Sequence, residues 1–82
     1  MVGSDIMVTI RPKVEGWISL RISDSKHKEV RTLFDGMVRP GEYTYAWNRK
    51  DGKGKTVPSG RYFCQMKYRD IQMQTMFAIQ VP

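Results

Sequence analysis

The side chains able to do chemistry are few and far apart in this 82-residue chain. There is one histidine, His27, set in the polar run Asp24-Ser25-Lys26-His27-Lys28, and one cysteine, Cys64, following Tyr62 and Phe63. A nucleophile, its base and the group that orients the base must lie within hydrogen-bond reach of one another. No spacing in this chain supplies such a set, so no catalytic residue is assigned and an enzyme is not expected. One histidine and one cysteine on different elements do not make a zinc site. Asp51, with the backbone carbonyls around Gly52 and Gly54, offers oxygen ligands of the calcium kind, but the flanking Lys50, Lys53 and Lys55 oppose a dication. The expectation is therefore no metal, no cofactor and no small-molecule substrate.

What remains is charge and aromatic surface. Fourteen Lys and Arg against eight Asp and Glu leave a net +6 and a pI near 9.8, a balance that favours anionic partners without identifying one. The basic residues are spread along the chain except in the segment that carries Arg49, Lys50, Lys53, Lys55 and Arg61. Lysines there keep a loop solvated and discourage edge-to-edge strand pairing, or they meet an anionic polymer. Trp17 lies in Trp17-Ile18-Ser19-Leu20-Arg21, where its parity points it outward beside Ser19 and Arg21. A large aromatic there is either covered by a loop or available to a partner. The candidate contact residues are thus Trp17 and Arg21 on a strand face and Arg49, Lys50, Lys53 and Lys55 in a basic loop. Phe34, Met37, Phe63 and Met76 also fall off the core parity or in turns, and would form a protein-binding patch if they clustered.

The elements that position these residues follow from alternation. Ile6, Val8 and Ile10 mark a first strand that Pro12 ends, because proline cannot donate to a ladder. Ile18, Leu20 and Ile22 face inward on a second strand, with Ser19, Arg21 and Ser23 outward. Val30, Leu33 and Phe34 are irregular over a stretch too short for a stable helix, and read as a bulged strand. Turns are expected at Asp35-Gly36 and Arg39-Pro40-Gly41. Tyr43, Tyr45 and Trp47 then form an aromatic strand, and Tyr62, Cys64 and Met66 begin another beyond a Gly- and Lys-rich segment. Trp47 to Cys64 reads as a hairpin with an elaborated loop, its Asp51-Gly52 and Lys53-Gly54 pairs tolerating positive φ. It is also the one connection that crosses a distance. Ile71 to Val81 reads as a long final strand reached through an Arg69-Asp70 turn, and its free edge would suit main-chain pairing with another chain.

Six to seven strands without a helical pattern predict an all-β antiparallel sandwich or barrel. Residues 1–4 read as a cloning remnant or disordered start, and 5–82 as a single domain. One cysteine cannot form an intrachain disulfide, and Cys64, alternating inward with Tyr62 and Met66, reads as a buried inert thiol. No apolar run in these 82 residues is long enough to span a membrane, and none has the form of a signal peptide.

Taken in order, Ile22-Ser23-Asp24, Val30-Arg31-Thr32-Leu33, Pro40-Gly41-Glu42-Tyr43, Trp47-Asn48-Arg49, Asp51-Gly52-Lys53-Gly54 and Val57-Pro58-Ser59-Gly60-Arg61-Tyr62-Phe63 resemble the immunoglobulin-like domain of the flagellar hook-capping (FlgD-like) family, over about Val8 to Val81. Two places depart from the family pattern. Lys26-His27-Lys28 stands where a glycine is usual, and Asn48-Arg49 replaces Asp-Gly, although an Asn side chain still forms an Asx turn. Gly60-Arg61-Tyr62-Phe63-Cys64 also resembles true immunoglobulin domains, with Tyr62 placed as in a tyrosine corner, but the partner cysteine is missing. The resemblance implies a disulfide-free immunoglobulin-like sandwich with a non-enzymatic role in assembling, spacing or displaying a larger bacterial extracytoplasmic protein, through a protein partner or self-association. Two alternatives stand beside it. One is a small basic domain for nucleic acid or acidic glycan, with Trp17 or Tyr68 as a stacking platform. The other is a C-terminal sorting domain for a secretion system.

Overall fold

The computed structural model describes residues 5–82, and the remnant expected at residues 1–4 lies outside the described residues. Six strands form: β1 (Ile6–Ile10), β2 (Gly16–Asp24), β3 (Glu29–Val38), β4 (Tyr43–Trp47), β5 (Gly60–Tyr68) and β6 (Gln74–Val81). They make two antiparallel sheets, a four-stranded one in the order β3-β2-β5-β6 and a two-stranded one pairing β1 with β4. Alternation puts one face of each strand into a shared core. Val8, Ile10 and Trp47 from the small sheet meet Ile18, Leu20, Ile22, Val38, Tyr62, Cys64, Tyr68, Ile79 and Val81 from the large one.

The aromatic strand and Tyr62 do share this core, but they do not form a hairpin. β4 pairs with β1, whereas β5 pairs with β2 and β6, so the segment from Asn48 to Ser59 carries the chain from one sheet to the other. The Trp47 and Tyr62 rings then meet edge to face across the core, 5.6 Å between centroids, an arrangement that suits the ring quadrupoles.

β3 contains the expected irregularity. Its register against β2 slips between Leu20 and Arg21 and again between Ile22 and Ser23, leaving Leu33 and Val30 as the extra residues. Asp35-Gly36 is not a turn. Both residues lie within β3, opposite Ser19 and Ile18, and Gly36 makes room for the Phe34 ring, which would come within 2.9 Å of a Cβ placed there. Phe34 points inward and stacks on Tyr45 at 5.2 Å, joining the two sheets at one side.

The final strand is shorter than its alternation suggests. β5 ends at Tyr68, and residues 69–73 loop beyond it, closed by the Tyr68 N–H donating to the Met73 carbonyl at 3.0 Å. Ile71 and Met73 overhang the end of the sheet, 42% and 44% exposed, because no strand lies beneath them. β6 therefore starts at Gln74 and is no longer than β5 requires.

Candidate functional site

The six candidate contact residues fall in two places. Antiparallel order puts the 25–28 turn and the β4–β5 connection at one end of the sandwich, and the 11–15, 39–42 and 69–73 loops at the other. Arg49, Lys50, Lys53 and Lys55 lie at the first end. Trp17 and Arg21 lie on the outer face of the large sheet, Trp17 close to the opposite end.

At the first end, the sequence Asp-x-Lys-x-Lys occurs twice and folds twice in the same way. The Asp24 carboxylate oxygen Oδ1 accepts from the backbone N–H groups of Lys26 and Lys28, both at 2.9 Å. Asp51 Oδ1 accepts from those of Lys53 and Lys55, at 2.9 and 3.0 Å. The main chain repeats as well. The His27 N–H donates to the Asp24 carbonyl and the Gly54 N–H to the Asp51 carbonyl, both at 3.0 Å. The fourth residue of each loop takes positive φ, 65° at His27 and 84° at Gly54. His27 thus adopts, as a non-glycine, the conformation that glycine supplies in the second loop.

These amides favour the ionised carboxylates. The backbone N–H of Lys28, then that of Lys26, hold Asp24 below the ordinary carboxylate value, partly opposed by desolvation. Lys55 and then Lys53 do the same for Asp51. Each of these Oδ1 atoms receives two backbone amides and so anchors its loop. The Gly52 N–H donates to the Val30 carbonyl at 3.0 Å, tying the second loop to β3. The two loops border a cleft of about 490 Å³ lined by Asp24, Lys28, Val30, Asp51, Lys53 and Tyr62. Lys26 and Lys28 therefore belong to the same basic end as the predicted loop lysines. The repeated motif was the signal that would have found them.

Behind this loop the residues are structural. Asn48 Oδ1 accepts from the Lys50 N–H at 3.1 Å, forming the expected Asx turn, with Arg49 held at φ 61°. The Lys50 carbonyl accepts from the Trp47 indole N–H at 2.9 Å. The Tyr62 hydroxyl donates to the Pro58 carbonyl at 2.7 Å, the bond of a tyrosine corner. Cys64 is fully buried, and burial pushes its thiol up to about 12, which withholds the reactive thiolate.

On the outer face, Trp17 is both covered and presented. Its indole N–H donates to Asp35 Oδ1 at 2.6 Å, and the Arg69 guanidinium from the β5–β6 loop lies 4.4 Å from the ring centroid, a cation–π contact. Arg21 reaches Glu29 on the neighbouring strand at 3.7 Å. Trp17, Ser19, Arg21, Asp35, Lys67 and Arg69 line a shallow concavity of about 260 Å³. Asp35, Lys67 and Arg69 escaped the sequence reading because only strand pairing sets them beside Trp17.

The supposed apolar patch does not assemble. Met37 and Met76 lie on the outer face at opposite edges, opposite Trp17 and Gln65. Phe34 points inward, and Phe63 stacks on His27 at 6.0 Å. Tyr68 is no stacking platform. It is buried, and its hydroxyl donates to the Val14 carbonyl at 2.6 Å.

Two antiparallel sheets enclosing one core, a tyrosine corner at the start of β5 and a free, buried cysteine define an immunoglobulin-like domain without a disulfide. The chain belongs to the FlgD Ig-like domain family, which it matches over residues 6–71. It is similar to the basal-body rod modification proteins FlgD of Salmonella typhimurium and Salmonella typhi, 40% identical to each over 45 residues. That stretch is 55% of this chain and 19% of each relative, so the chain matches only a part of a longer protein. The family is structural, and the domain is not an enzyme. No helix among the described residues is long and apolar enough to cross a membrane.

Proposed function

We propose that this chain is an assembly and spacing module of a flagellar hook-capping-like protein that works outside the cytoplasm, and that it holds a protein partner or another copy of itself through the outer face of the large sheet. Membership of the FlgD Ig-like family supports the first part. The observation that carries the second is Trp17, an indole held on the open sheet face by Asp35 and Arg69 and not absorbed into the core. Rigid, partly desolvated aromatics flanked by arginine are the usual anchors of protein interfaces. Arg21 borders the same face. Arg49, Lys50, Lys53 and Lys55 lie at the basic end, where they supply long-range steering.

Light scattering at low and high salt, on the native chain and on Trp17→Ala, tests this reading. A species heavier than the 9.6 kDa monomer that survives high salt and is lost in Trp17→Ala is the expected result. Binding to an oligonucleotide that collapses with salt and requires Lys53 and Lys55, with no association of the chain itself, would instead give the module to an anionic polymer.

A further inference from the structure

The cations at the end formed by the 25–28 turn and the β4–β5 connection have no carboxylate partners. Among the described residues the ion pairs join Arg11 to Glu42 and Arg21 to Glu29, and Lys26, Lys28, Arg49, Lys50, Lys53 and Lys55 take part in neither. The carboxylates of the same end turn to other donors. Asp24 and Asp51 take the amides of their own loops through Oδ1, while Glu29 accepts from the Thr32 hydroxyl at 3.0 Å and faces Arg21 at 3.7 Å. Positive charge is therefore in excess here and unpaired.

The cleft of about 490 Å³ between the twin loops gathers part of that charge, with Lys28 from the first loop and Lys53 from the second in its lining. Val30, Val57 and Pro58 add an apolar strip to the same lining. Val30 and Val57 are half-buried against the core and Pro58 is exposed. The Gly52 N–H on the Val30 carbonyl pins the second loop beside this strip. Because main-chain bonds and the two Asp carboxylates hold the loops, the lysine side chains are not needed to shape them.

We propose that this cleft binds an acidic segment of a partner protein, one apolar side chain lying on the Val30–Val57–Pro58 strip and carboxylates on either side of it meeting Lys28 and Lys53. Charge complementarity selects the acids, and the strip selects the residue between them. A nucleic acid suits the cleft less well. Its phosphates follow one another without a break, whereas Asp24, Glu29 and Asp51 interrupt the lysines of this lining, and its bases need aromatic faces to stack on. Trp47 and Tyr62 are buried, and the Phe63 ring is stacked on His27. A second copy suits it no better, since each copy carries +6 and the acids nearest in sequence, Asp24 and Glu29, themselves line the cleft. From the assembly reading this inference takes only that the partner is a protein, and it adds a second surface away from Trp17.

The probe is the synthetic peptide Gly-Glu-Glu-Leu-Glu-Glu-Gly, titrated at low salt into the full chain while backbone amide shifts are followed by NMR. Shifts concentrated in residues 24–30 and 51–58, absent with the glutamine-for-glutamate peptide and lost at high salt, are the expected result. The chain carrying Lys28→Gln and Lys53→Gln should bind on the order of tenfold more weakly, while Lys13→Gln at the opposite end should bind as the native chain does. A peptide that shifts nothing at this end overturns the proposal, as does equal affinity in the double variant or equal affinity when serine replaces the leucine. Tighter binding of oligothymidylate at the same residues would overturn it in favour of nucleic acid. The mapping is made on the native chain, so it decides even where the double variant fails to fold. Trp17 lies outside the cleft, so association lost in Trp17→Ala tests the assembly reading separately and the two failures are distinguishable.

Discussion

The Tyr62 hydroxyl reaches back four residues to donate to the Pro58 carbonyl at 2.7 Å, while its ring meets the edge of Trp47 at 5.6 Å. One side chain thus fixes both the end of the cross-sheet connection and the packing of the sheets. Tyr62→Phe keeps the ring and removes the bond, and is expected to cost about 0.5–1.5 kcal/mol. Trp47→Ala removes the largest fully buried side chain and is expected to cost about 3–5 kcal/mol. Urea denaturation of both variants gives the comparison. Equal losses would mean that the hydroxyl, and not the ring packing, dominates this corner.

Arg49 is a non-glycine held at φ 61° in the Asx turn made by Asn48. The left-handed conformation strains a residue with a Cβ, and the relief on mutation exceeds the added freedom of glycine in the unfolded chain. Arg49→Gly should therefore raise stability by about 0.5–1 kcal/mol, read as a higher midpoint in the same denaturation. A lower midpoint would show that the guanidinium contributes more to this loop than its strain costs.

The twin loops make an acid-sensitive element. Asp24 and Asp51 both have folded-state values below the ordinary 3.8, because backbone amides favour their ionised forms. A lowered carboxylate contributes stability that is fully present above its unfolded value and is lost as pH falls through the folded value. The native chain should hold its melting temperature down to about pH 4 and lose it progressively below. Asp24→Asn combined with Asp51→Asn should melt lower at neutral pH and show a flatter acid limb. A limb of unchanged slope would assign the acid response to other carboxylates.

Cys64 is expected to resist thiol reagents in the folded chain at pH 8 and to react fully once urea unfolds it. Its thiol is buried and pushed up to about 12, so the thiolate is scarce and hidden. Cys64→Ser places a hydroxyl in the same apolar site and should cost roughly 1–3 kcal/mol, whereas Cys64→Ala leaves only a small cavity. Fast labelling of the native chain would contradict the burial.

The cover that Arg69 gives Trp17 can be read by fluorescence. Trp47 is fully buried, so quenching by a soluble ion reports mainly on Trp17. Arg69→Ala, which uncovers one face of the ring, should increase quenching while changing stability by no more than about 1 kcal/mol. Unchanged quenching would mean that Asp35 and the sheet alone shield the indole.

Alternation was enough to assign faces. Ile18, Leu20 and Ile22 are buried and Arg21 between them is exposed, because a strand sends successive side chains to opposite sides whatever its neighbours are. The same local rule placed Val8, Ile10, Trp47, Tyr62 and Cys64 in the core, and the chemistry of Asn48 and Asp51 made their turns legible. Family motifs distributed along the chain pointed to the immunoglobulin-like class for a similar reason, since each marks a turn or a corner that needs particular residues.

Pairing was decided only in three dimensions. β4 and β5 look like the arms of a hairpin, yet they join different sheets, because β4 finds β1, more than thirty residues earlier along the chain, and β5 finds β2. Asp35-Gly36 has turn composition, but the space the glycine leaves is filled by the Phe34 ring. Ile71 and Met73 continue the inward parity of β6 and nonetheless overhang the sheet, since parity says which way a side chain points and not whether anything lies beneath it. The concavity around Trp17 depends on the same missing information: Asp35, Lys67 and Arg69 reach it from strands and a loop distant in sequence, and only the order β3-β2-β5-β6 brings them together.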